Sequence, residues 1–259
     1  MAQPEPSPWE QLTEMLARSP WVRRFESVRR YLAAGLLLFA VGSAAAFAVA
    51  PAVVADMERK QPEFARLVML APAEGFMVRI KVALALGAAI AIPAVMFGVW
   101  AVVTRGWPWG KRLSRFLFIP ASLGLFFGGA YFAYGWVVPP ALRFLLGFAR
   151  DRLQPMISIN SYTNFILTMV VPFGLVFQLP LLVFFLARLG VVSHRGLAQR
   201  RSYAIVGIAA LAAALTPGPD VFSQLLMAVP LVVLYEVSIW IAWLAAPRGS
   251  ARPSPTDRV

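Results

Sequence analysis

The chain has 259 residues, of which 59% are hydrophobic and only 14% charged, with a mean hydropathy of +0.70. A soluble domain carries about 25% charged residues, so composition excludes a soluble globular protein and points to one polytopic helical membrane unit. The absence of cysteine excludes disulfides and thiolate metal sites. The net charge of +12 reads as arginine-rich cytoplasmic loops rather than a nucleic-acid surface.

In chain order, residues 1–30 contain no apolar core of a cleaved signal before Tyr31. Trp9, Leu12, Met15 and Leu16 are spaced for one face of a short amphipathic helix on the cytoplasmic surface. Six apolar spans follow: Tyr31–Val54, Ile80–Val103, Phe116–Val138, Phe165–Ala187, Tyr203–Leu215 and Val221–Ala246. Together they form a membrane domain over 31–246, and residues 247–259 read as a cytoplasmic tail without regular structure. The last two spans are expected to be short. Tyr203–Leu215 has 13 residues, about 20 Å of helix against a hydrocarbon core of roughly 30 Å. Glu236 divides the sixth into a short membrane part and a tail bearing Trp240 and Trp243, which either lies at the interface or continues as helix. Prolines at or within span ends (Pro93, Pro120, Pro139, Pro172, Pro180 and Pro230) favour kinked helices packed as a curved, bowl-like all-α bundle.

Charge sets the orientation. The N-terminal tail, the second and fourth connections and the C-terminal tail carry sixteen Lys and Arg, and the other side carries eight. The excess places both termini in the cytoplasm. The stretch Thr216–Glu236 is unusual for a membrane hairpin because it plants Asp220, Gln224 and Glu236 among Leu and Val. Polar groups between short spans imply a thinned bilayer or a partner that hides them.

Several motifs resemble one family. Pro72, Glu74, Phe76 and Lys81 lead into the second span, followed by Pro93 and Trp100. Phe132, Tyr134 and Pro139 end the third, and Ser161, Tyr162, Phe165, Phe173-Gly174 and Phe177-Gln178-x-Pro180 mark the fourth. Arg201-x-Tyr203, TPGPDVFSQ with Pro217, and then Pro230, Tyr235 and Glu236 complete the series. Over roughly Leu70 to Glu236 the chain resembles TatC, the multi-spanning subunit of the twin-arginine protein translocase.

The resemblance implies a non-enzymatic subunit of the cytoplasmic (inner) membrane. Such a subunit binds twin-arginine signal peptides and recruits single-span TatA/TatB-type partners. It exports folded cargo on the proton-motive force as a hetero-oligomer of several copies, with no cofactor, metal or nucleic acid. A paired-arginine motif needs a carboxylate near the cytoplasmic surface. Glu26, flanked by Arg29 and Arg30, suits that role, with Glu14 a second match further from the membrane. Gln178 would be an intramembrane polar site, either for a partner or signal peptide or as an internal helix–helix hydrogen bond. Thr216, Asp220 and Gln224 would dock the partner helix. Glu74 and Asp220 also suit helix capping, and Glu236 suits pairing with a loop arginine.

The sequence departs from the family at the second connection, where Arg105-Gly106-Trp107 replaces a Pro-Gly-Leu motif and Lys111 stands at the usual Glu. Gly218 lengthens the fifth–sixth turn by one residue, and Gln178 replaces a common Glu. An assembly scaffold with altered signal recognition is therefore the alternative within the family. An intramembrane enzyme would need a nucleophile–base pair or metal ligands. The single histidine, His194, lies in a basic loop, and no HExxH or GxSxG motif occurs. A secondary transporter would show inverted repeats and charged midplane sites, and neither is visible.

Overall fold

A computed structural model describes residues 20–60, 66–103, 113–147, 156–188, 190–216 and 220–245. Helix α1 (Pro20–Arg59) opens on a proline, which is tolerated in a first turn because its missing N–H has no intrahelical partner there. The helix starts well ahead of Tyr31, so the backbone from Pro20 runs unbroken into the first span. Trp9, Leu12, Met15 and Leu16 lie outside the described residues.

Strand β1 (Arg66–Val68) precedes helix α2 (Glu74–Val103). Next come α3 (Leu113–Phe132), a π-helical turn (Ala133–Val137) and α4 (Val138–Gly147). Strand β2 (Met156–Ser158) leads into α5 (Ile159–Val176), then α6 (Leu179–Arg188) and the short α7 (His194–Gln199). The last two helices are α8 (Arg201–Leu215) and α9 (Val221–Ala245). Among the described residues, five stretches are long and apolar enough to cross a membrane: Arg29–Arg59, Glu74–Gly98, Phe118–Gly147, Ile159–Arg188 and Val221–Ala245, with Arg201–Leu215 a shorter apolar helix. Helices dominate because hydrocarbon offers no partner for a free peptide group.

Two expectations change. The all-helical reading did not include the small parallel pairing of β1 with β2, in register Arg66↔Met156, Leu67↔Ile157 and Val68↔Ser158. The sixth span is not short: α9 runs through Glu236 for 25 residues, about 37 Å. Glutamate is a good helix former, and the Glu236 carboxylate pairs with Arg201. Among the described spans, only α8, with 15 residues, is under-length.

Prolines act unequally. Pro93, Pro120, Pro172 and Pro230 sit inside continuous helices. Pro139 and Pro140 follow the π-helical turn, where the Val138 N–H reaches back five residues to the Ala133 carbonyl. Two successive residues without an N–H cannot continue the α ladder, and the wider turn makes room for their rings. Pro180 stands just after the Phe177–Gln178 break between α5 and α6. There the Gln178 N–H bonds to the Leu175 carbonyl at 3.0 Å in a tightened turn.

The described residues fall into two compact units, divided after Asp56, Gly75 and Leu123. In the first, α1 and α2 pack through small residues. A Cβ on Gly42 would lie 3.6 Å from the Gly87 Cα, and one on Gly98 would meet the Tyr31 side chain at 2.6 Å. Close backbone approach is how helices gain dispersion contact in lipid. Phe47 and Phe76 meet edge to face at 6.3 Å. In the second unit, α3 and α5 interlock reciprocally. The Phe126 ring fills the space above Gly174, and the Phe177 ring that above Gly129. Phe132 joins Phe173 and Phe177 with ring centroids about 6 Å apart.

Candidate functional site

Three of the four residues expected to meet a signal peptide stand near the start of the chain. Glu26 lies within α1, and Arg29 and Arg30 are exposed on the next turn. Lys111, the other expected member, lies outside the described residues. Trp100 lies within α2.

Glu74 is the first residue of α2 but does not cap that helix, as the sequence suggested. Its carboxylate turns back, accepting the Leu70 N–H at 3.1 Å and the Ser158 hydroxyl at 3.0 Å. Ser158 is itself the N-cap of α5, accepting the N–H groups of Asn160 and Ser161. Because Ser158 pairs with Val68 in the strand register, one serine joins a strand, a helix start and a carboxylate 84 residues away. One turn on, the Tyr162 hydroxyl donates to the Met57 carbonyl at 3.1 Å. The ammonium of Lys60 lies 4.4 Å from the Tyr134 ring centroid. Pro72 and Phe76 flank this knot and are exposed, while Lys81 is half-buried.

Gln178 is 2% exposed, at the α5–α6 break beside Phe177. A neutral amide is cheaper to bury in a membrane than a charge.

The α8–α9 hairpin carries polar groups at both ends. Near the turn, Asp220 caps α9 by accepting the Ser223 N–H at 2.6 Å, as the capping reading anticipated. Gln224 donates its side-chain amide to the Ala209 carbonyl of α8 at 3.2 Å. Thr216 donates back to the Ala212 carbonyl at 2.7 Å and contacts the Met227 sulfur. Pro217 and Gly218 lie outside the described residues. At the far end Arg201 donates to Glu236 at 2.8 Å, and the Tyr235 hydroxyl donates to the Leu197 carbonyl, also at 2.8 Å. Along α9, Val221, Leu225, Val229 and Val233 recur every fourth residue with exposures of 56–69%.

Sequence reasoning missed Ser158. Its signal was legible, a serine just before the apolar period of α5, in the position that caps prefer. Among the described residues, no group of three or more His, Asp or Glu side chains is placed to hold a metal ion. The polar groups here tie helices together rather than form a nucleophile–base pair.

These features define a multi-span helical membrane protein. Residues 24–230 match the family profile described as Sec-independent protein translocase protein (TatC). The Sec-independent protein translocase protein TatC of Carboxydothermus hydrogenoformans is 45% identical over 183 residues, covering 71% of this chain and 75% of the relative. That of Aquifex aeolicus is 36% identical over 235 residues, covering 87% and 95%. A crystal structure of "Twin Arginine Translocase Receptor- TatC" superposes with a TM-score of 0.76 at 34% identity, covering 86% of this chain and 99% of that one. The chain belongs to the TatC family. It is accordingly a membrane component of a Sec-independent protein translocase and not an enzyme.

Proposed function

We propose that the chain is the receptor and organising subunit of a twin-arginine translocase in the cytoplasmic membrane, with both termini and residues 1–30 and 247–259 in the cytoplasm. The observation that carries this reading is the 34% identity, over most of the chain, to a protein crystallised as a twin-arginine translocase receptor. The sixteen-to-eight arginine and lysine asymmetry supports the orientation.

In this reading Glu26 receives the paired guanidinium groups of a signal peptide in bidentate geometry, with Arg29, Arg30 and Lys111 at its rim. The buried amide of Gln178 offers a neutral polar contact deeper in the bilayer. The hairpin turn at Thr216, Asp220 and Gln224 is where single-span TatA/TatB-type helices dock. The assembly then holds several copies and moves folded cargo on the proton-motive force.

Photocrosslinking from positions 26 and 111 tests the receptor role. A twin-arginine precursor should crosslink at position 26, and its twin-lysine variant should not. Equal or absent crosslinking for the two precursors sinks it. A second reading, an assembly scaffold with altered signal recognition, is favoured by Lys111, whose ammonium would repel an incoming arginine pair. It predicts partner capture by the hairpin without arginine-dependent crosslinking.

A further inference from the structure

We infer that the α6–α8 connection and the end of α9 together bind the headgroup of an anionic phospholipid. From Arg188 to Arg201 the chain carries four arginines and no carboxylate. Arg201 is matched by Glu236. Arg188, Arg195 and Arg200 are exposed, and none forms an ion pair with a described carboxylate. The Arg188 guanidinium carbon lies over the Phe184 ring at 5.4 Å, on a side chain that remains exposed.

The packing sets this basic loop against the last turns of α9. Ala242 and Ala245 pack on Val183 and Ala187, with Phe184, Val192 and Leu197 closing around them. The same turns present Trp240 and Trp243 outward at 68% and 60% exposure, and Tyr203 beside Arg201 is 82% exposed. Indole and phenol rings of this kind sit at headgroup depth. The ligand that fits has an anionic head for the arginines and acyl chains for the aromatic and aliphatic surface beside them. A twin-arginine peptide is excluded by like charge. A free anion would find guanidinium groups on an open surface, without the enclosing donors that hold small ions.

The test uses the full chain in nanodiscs of phosphatidylcholine with or without phosphatidylglycerol, with retained lipid counted by native mass spectrometry. Phosphatidylglycerol should be retained selectively. The R195Q/R200Q variant, which keeps the Arg201–Glu236 pair, should lower that retention by about five-fold per arginine. Unchanged retention overturns the site, and so does displacement of the lipid by millimolar inorganic phosphate or by an acidic peptide. Should the variant fail to fold, a photoreactive side chain at position 240 in the otherwise native chain decides the matter. It should label photoactivatable phosphatidylglycerol over phosphatidylcholine, and equal labelling overturns the proposal. Signal recognition at Glu26 is untouched by this outcome, so the two readings fail separately.

Discussion

Arg201 and Glu236 meet at 2.8 Å across the α8–α9 hairpin, 35 residues apart in sequence, at the end opposite its turn. The pair fixes how far along α9 the short helix α8 lies. It also gives the carboxylate within α9 a cationic partner.

Breaking this pair should loosen the hairpin. Both side chains are partly exposed, so Arg201→Gln or Glu236→Gln should each cost about 1 kcal/mol at most. Thermal unfolding of the two single variants and the double variant gives the coupling directly. Strictly additive losses would show that the contact contributes nothing.

At Ser158 the expected result runs against ordinary capping rules. Aspartate caps helices as well as serine does, yet Ser158→Asp should destabilise more than Ser158→Ala, because it sets a second carboxylate against Glu74. Ser158→Ala should cost about 1 kcal/mol. Adding Glu74→Gln should rescue Ser158→Asp but not Ser158→Ala. Melting temperatures of the four variants check this, and a Ser158→Asp chain as stable as the parent would refute it.

The α3–α5 interlock makes Gly174 intolerant of a methyl group. A Cβ there would stand 2.7 Å from the Phe126 ring, so Gly174→Ala should cost about 1–3 kcal/mol through overpacking. Phe126→Leu introduced alongside should recover part of the loss. If Gly174→Ala melts at the parental temperature, the ring does not occupy that space.

Asp220 separates capping from charge. Asp220→Asn keeps an acceptor for the Ser223 N–H, so it should leave stability within a few tenths of a kcal/mol. Asp220→Ala should lose about 1 kcal/mol. Export assays on the same variants then report whether the negative charge has a use beyond the cap. Equal stability of Asn and Ala would remove the capping role.

Much of the architecture was legible because hydropathy sets spans directly: lipid forces each apolar run to satisfy its own backbone. The Thr216–Glu236 stretch also announced itself through carboxylates among aliphatic residues. What escaped depends on distant partners. The three-residue strands β1 and β2 are too short for any period, and each exists only because the other lies alongside. Glu74 looked like a local cap because its real partner, Ser158, lies 84 residues away. Pro139 signalled a disturbance, but only the run of two prolines together with the Val138–Ala133 hydrogen bond defines a π turn. Glu236 was legible as the partner of a loop arginine, but which arginine reaches it, Arg201, depends on how α8 and α9 pack.

Helix α8 buries a single residue, Ala212, among its fifteen. Water is not present in hydrocarbon to press such a helix onto its neighbour, since lipid tails solvate its methyl groups as well as protein does. Its attachment therefore rests on a short series of polar clasps: Gln224 to Ala209 near the turn, Arg201 to Glu236 at the far end. In energetic terms α8 is held at two points along its register, with nearly all of its length outside any core.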